Sequence, residues 1–427
     1  MKEIIKFELK KIFSSWVVWG LMAIVVAFNG MLIVTQSLPR NELAIITEMI
    51  SEHGSAINNE TLTQWHFEHQ YWIDQMNEIT ERKMRETFNS VEALVDELRN
   101  RFVDISDIFE TDEEWQIIRT TDIIEGYYFT ARDADSVQRQ IRLVEFGEQI
   151  VEDAELTGAL AETIIKQFEA NQYRLDRLIE NGEHLHFFFN NGFFEVHTIL
   201  FRRVFGAITA GITVLVVVVA AFLFSYEFDH KTNLLVYTTK CGRTLQMAKL
   251  KAAMFATSVM MFIITSSTLG IYFVVFDYSG LWHIPISSVF MSDSWRLIIS
   301  AYPLTFFQYL LAVIAMIYIG QVLFTLLTFT LSKLIRNGYL TTVLFFVLFA
   351  LGMVVPRVDL FANHSMLPFY LGFNPFFLLF RDLRGSFLIG LISESYQHFE
   401  LVTLCVWMVI FLLGTTWCYH QFKKIDL

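Results

Sequence analysis

"FGAITAGITVLVVVVAAFLFSYEFDHKTNLLVYTTKCGRTLQMAKLKAAMFATSVMMFIITSSTLGIYFVVF" occupies residues 205–276. Two apolar runs, 205–224 and 252–276, flank a polar connection from Ser225 to Lys251. A helix of about 20 apolar residues crosses a hydrocarbon core of about 30 Å. Each run is therefore read as a membrane span. The connection carries Lys231, Lys240, Arg243, Lys249 and Lys251, with Glu227 near its start. Glu227 is expected in the first turn of a loop helix, where a carboxylate suits the helix dipole.

The same pattern recurs along the chain. Of 427 residues 54% are hydrophobic, with 42 Phe and only 6 Pro. The apolar residues come in blocks, so the class is an all-α polytopic membrane protein. An opening segment over 1–13, "MKEIIKFELKKIF", gathers Ile4, Ile5, Leu9, Ile12 and Phe13 toward one side and Lys2, Lys6, Lys10 and Lys11 elsewhere. It reads as an amphipathic helix in the membrane interface. A first span follows within 14–36. Its length and the anchors Trp16 and Trp19 argue against a cleaved signal peptide. Further spans are expected at about 204–225, 252–276, 304–331, 339–356 and 400–420, six in all.

Between the first two spans lies a large block, 37–200, with 33 acidic and 13 basic residues. Its long Pro- and Gly-poor stretches, with apolar residues three and four apart, predict antiparallel helices. Short-loop Lys and Arg sit at the amino terminus, over 226–251, at Lys333 and Arg336, and at Lys423 and Lys424. With six spans these fall on one side, and the positive-inside rule makes that side the cytoplasm. Arg202 and Arg203 run against the rule. The acidic block is then a helical extracellular domain. The stretch 366–393, broken by Pro368, Pro375 and "RDLRG", reads as an outer re-entrant hairpin rather than a further pair of spans.

Signatures of chemistry are sparse. No phosphate-cradling loop, zinc-protease helix or nucleophile elbow occurs, so no catalytic residue is assigned. His66 and His69, and His184 and His186, have spacings a metal could use, but solvated surface is the plainer reading, and no metal site is assigned. Cys241, Cys405 and Cys418 form no metal-type pattern. Asn29, Gln308, Gln321 and the "TSSTLG" cluster from Thr265 are polar residues within spans, read as glue between helices. No carboxylate lies well inside a span, which argues against a carrier driven by its own ion coupling.

On these residues the membrane part resembles the permease subunit of type-2 ABC exporters. Glu227, Thr232, Leu235, Gly242, Arg243 and Lys249 follow that family's pattern of an acid after the second span, a small residue, Leu, a turn with Arg, and Lys into the third span. The opening basic helix and "GFNPFFLLF" before the last span are also similar. The family often has Gly before the Thr and Pro in the turn. Lys231 and Thr239-Lys240 stand near those places here. The resemblance implies that 226–251 is a coupling loop docked, through those six residues, on a separate ATPase. The chain would bind no cofactor of its own, ATP being held by the partner. It implies two ABC ATPase subunits, a second permease chain, membrane lipids and no nucleic acid as partners. It also implies a bacterial plasma membrane with both termini cytoplasmic, and an amphipathic substrate such as a peptide, lipid or drug. The alternative is a membrane-anchored sensor whose acidic outer domain binds a ligand.

Overall fold

The computed structural model describes residues 2–188, 198–232, 235, 242–288, 300, 302–357, 370–380 and 398–424. Among these every regular element is helical, and the only β pairing is two isolated bridges. Helix α1 (Lys2–Phe13) precedes α2 (Trp16–Thr35). The block holds α3 (Arg40–His53), α4 (Asn59–Met84), α5 (Val91–Asn100), α6 (Ile105–Ile108), α7 (Asp112–Gln140), α8 (Leu143–Asp153) and α9 (Gly158–Glu180). A π-helical turn, Thr198–Val204, then leads into α10 (Phe205–Asp229). The remaining elements are α11 (Gly242–Val275), α12 (Phe306–Ile335), α13 (Gly338–Val354), α14 (Pro375–Phe380) and α15 (Phe399–Lys424).

Among the described residues five helical stretches are long and apolar enough to cross a membrane: Trp16–Thr35, Ile199–Asp229, Thr244–Val275, Phe306–Ile335 and Phe399–Gln421. The chain is accordingly a multi-pass membrane protein. The sixth expected span corresponds to α13, which has 17 residues and a length of about 26 Å. Of the segment expected as a hairpin, 366–369 and 381–393 lie outside the described residues. The rest contains α14, seated against α13 and α15.

The bundle is organised around α10 and α12, whose most apolar windows are 67% and 61% buried, against 22% for α2. A helix apolar on all sides is suited to that central place. Polar pairs join the helices where lipid could not hydrogen-bond them. Asn29 Nδ2 donates to Thr268 Oγ1 at 3.1 Å, linking α2 to α11. Gln321 Nε2 donates to Thr213 Oγ1 at 2.9 Å, linking α12 to α10. Gln308 does something else: it closes a capping box with Thr305 at the start of α12. Arg203, which ran against the charge rule, hydrogen-bonds Gln36 beyond the end of α2.

In the block, α4 and α7 form the long pair, each opened by a capping box, Asn58 with Thr61 and Thr111 with Glu114. Helices α5 and α6 close its far end around Ile73, Met76, Leu94, Leu98 and Phe109. The near end is different. Leu43, Ile46, Trp65, Ile124 and Tyr127 belong to the same apolar cluster as the bundle. There the chain leaving the block is clasped to its own entry. Ile57 N–H donates to Leu185 O at 3.0 Å and Phe187 N–H to Ser55 O at 2.7 Å, while Phe187 stacks on Trp65 at 3.8 Å.

Candidate functional site

At the bundle end that carries α1, four charged side chains are drawn out of solvent together. The reason lies in α10. Its apolar run stops at Phe224, yet the helix continues through Ser225, Tyr226 and Glu227 to Asp229. Glu227 thus sits in the last turns of a span, not in the first turn of a loop helix. That is a correction to the sequence reading. A carboxylate at a helix C-terminus faces the negative end of the dipole and needs cations to hold it.

Two cations supply that. Lys249, in the second turn of α11, ion-pairs with Glu227 and donates to Leu223 O at 2.6 Å. Lys11 of α1 stands 3.8 Å from the other carboxylate oxygen and 2.9 Å from Glu8. Its ammonium also lies 4.4 Å from the centre of the Tyr226 ring, a favourable cation–π distance. Glu8, Glu227 and Lys249 are 2%, 3% and 0% exposed. Two carboxylates and two ammoniums balance, as buried charges must. The cluster ties α1, α10 and α11 to one another.

The neighbouring residues of α10 extend the same junction. Ser225 and Ser332 share a hydrogen bond of 3.0 Å to α12. Lys333 Nζ points to Phe224 O at 3.5 Å. Asp229 accepts from Gly338 N–H, at 3.3 Å to each oxygen, at the start of α13. A Cβ at Gly338 would lie 2.9 Å from the Asp229 carboxylate, so a larger residue there would displace that side chain. Helix α10 then ends in a Schellman motif. Thr232 N–H donates to Glu227 O at 2.9 Å and Lys231 N–H to Phe228 O at 3.1 Å, with Lys231 left-handed at φ 55°.

The six residues expected to dock a partner are therefore unlike one another. Glu227 and Lys249 meet each other in the interior, and Thr232 caps the carbonyl of Glu227. Leu235 is 74% exposed. Gly242 opens α11, and the Arg243 side chain lies outside the described residues. With α10 ending at Asp229 and α11 starting at Gly242, the connection is 230–241, shorter than the 226–251 expected. Glu8 and Tyr226 were not singled out from sequence, and Lys11 was read only as one of the basic residues of the opening helix. Glu8 had a signal, since Ile5, Leu9 and Ile12 flank it at helical spacing and place it on the apolar side of α1.

A second feature is an apolar cavity of about 410 Å³ between α12, α13, α15 and the 370–376 stretch. Leu327, Leu351, Val355, Tyr370, Phe376 and Trp407 are among the side chains lining it. Two polar groups on its wall are engaged: Trp407 Nε1 donates to Phe373 O at 2.6 Å, and Asn374 Nδ2 to Leu371 O at 2.8 Å.

Comparison with known families, curated proteins and solved structures returns no match. The reading of the site therefore rests on its own geometry and on the sequence resemblance. Among the described residues no group of three or more His, Cys, Asp or Glu is arranged for a metal. His69 instead lies 3.4 Å from Glu125, and His184 3.1 Å from Asp135.

Proposed function

We infer that this chain is the permease subunit of an ATP-binding-cassette exporter that handles an amphipathic substrate, with energy supplied by separate ATPase subunits. The observation that carries the reading is the buried Glu227–Lys249 pair. It locks together the two helices that the 230–241 connection joins, and Lys11 adds α1 to the same unit. A push on that connection would move α1, α10 and α11 as one body rather than bend a loop. This is what a coupling element needs. In this reading the end with α1 is cytoplasmic, α13 is the sixth span, the acidic block is outside, and two permease chains meet two ATPases. Docking itself falls to the exposed part of the connection, Leu235 included, and the buried pair transmits the movement. The apolar cavity would receive the hydrocarbon part of the substrate.

The test is purification of the tagged chain from its native membrane in mild detergent. A soluble subunit with a phosphate-binding loop should co-purify, and vanadate should inhibit ATP hydrolysis by the complex. The chain alone should not hydrolyse ATP, having no loop to position the phosphates. Turnover by a preparation free of any such subunit, or a chain that never co-purifies with one, overturns the assignment.

A further inference from the structure

Helices α8 and α9 form an arm that the rest of the block does not cover. They pack on each other, α9 also touches α7, and among the described residues no further helix lies in extended contact with either. The pair is drawn tight at Gly147, where a Cβ would come within 2.6 Å of the Phe168 ring. Only Leu143, Phe168, Leu175 and Leu178 form a fully buried core there. Two helices cannot bury wide apolar faces with nothing packed on the second side. Val144, Val151, Leu156, Leu160 and Ile165 accordingly remain half-buried, and Phe146 is 50% exposed.

The charges around this face are one-sided. Residues 143–169 hold seven acids and one base, Lys166. None of them has an ion pair among the described residues. On the α4–α7 side several acids are engaged: Glu114 with Arg82 and Lys83, Glu86 and Glu97 with Arg101, Asp135 with Arg139. The arm thus offers apolar surface rimmed by uncompensated carboxylates.

We propose that the α8–α9 arm docks a cationic amphipathic peptide in helical form, its apolar stripe on the half-buried face and its Lys or Arg side chains on the acidic rim. Apolar anchors and a charged rim are how an amphipathic helix is taken into a groove. From Gly158 to Phe168, α9 offers 11 residues, a length of about 16 Å or three turns. A second copy of this chain is a poor occupant, because it presents the same negative arm. An anionic lipid surface is repelled for the same reason. The inference does not depend on the permease reading, and its test involves no ATP.

The full chain is reconstituted in nanodiscs of zwitterionic lipid and titrated with a fluorescent Lys/Leu peptide whose Leu residues follow helical spacing. Empty discs give the lipid background. The peptide should bind the protein, and more weakly as salt screens the rim. A scrambled peptide of the same composition, cationic without a stripe, should bind at least about tenfold more weakly. The variant Glu148→Gln/Glu152→Gln/Glu155→Gln should lose about tenfold in affinity, the combined effect of several exposed charge pairs. Glu78→Gln/Glu81→Gln/Glu92→Gln, exposed acids on the other helices, should bind like the parent. Equal binding of both peptides would mean counterion attraction only and overturns the proposal. So does undiminished binding by the first variant.

Discussion

Glu227 and Lys249 make opposite single and paired replacements informative. Removing one partner leaves the other charge buried and alone, which costs about 3–5 kcal/mol. Lys249→Met should therefore destabilise the detergent-solubilised protein strongly. The double variant Glu227→Leu/Lys249→Met should regain much of that stability, since apolar replacement of a whole buried pair is often neutral or better. Thermal unfolding of the three proteins reads the difference. A double variant that folds well yet no longer couples ATP hydrolysis to transport would separate transmission from stability. Lys231 gives a second test at this scale. It holds the left-handed position of the helix end, where Gly is the unstrained residue. Lys231→Gly should raise stability by up to about 1 kcal/mol, the order of the left-handed penalty on an L-residue, seen as a higher melting temperature. A fall would mean that the Lys231 side chain contributes more than its backbone costs.

Among the elements, α3 makes a titratable contact with α7. Glu42, near its start, has its carboxyl pushed up to about 8 by burial, with Arg119 lowering it and Asp122 raising it. An acid whose folded-state pKa is raised holds its proton more tightly in the folded form. Its contribution therefore declines as pH rises from the usual carboxylate range toward 8. The protein should lose stability across that window, and Glu42→Gln should flatten the loss, by thermal unfolding at stepped pH. Glu114 has the reverse sign. Its carboxyl is held near 2, first by the hydrogen bond from Lys83, so its support is present at neutral pH and disappears as acid protonates it. How far the elements were legible follows from the same physics. The cores of α2, α10, α11, α12 and α15 were readable because lipid-crossing helices need continuous apolar sequence. The true end of α10 was not. Its last turns are polar, and they stay helical because partners on α1 and α11 accept their charges. Periodicity along one helix contains no record of a partner that far away in the chain. Glu227 and Lys249 could be picked out as a pair of charges, but their meeting in the interior depends on packing.

For the whole molecule the decisive issue is sidedness. With Cys241, Cys405 and Cys418 replaced by Ser, Thr120→Cys should react in intact cells with a thiol reagent that cannot cross the membrane. Thr238→Cys should react only after the cells are opened. The reverse pattern would invert the proposed orientation and with it the coupling role of 230–241. The base of the block bears on the same scale, because it is not closed by block residues alone. Thr47 donates to Asp277 O at 3.4 Å. Ile50 lies against Gly280, and Ser288 donates to His186 O. All three partners follow α11 in the chain. During synthesis, when a chain emerges from its amino terminus onward, α4 to α7 can pair as soon as they appear, but the floor beneath them stays open until residue 288 has been made and delivered to the same face. Ile50 waits without its Gly280 neighbour for that interval. The order of manufacture thus imposes a late step on a domain encoded early, and a pause in translation just after α11 would lengthen the time its floor stands open.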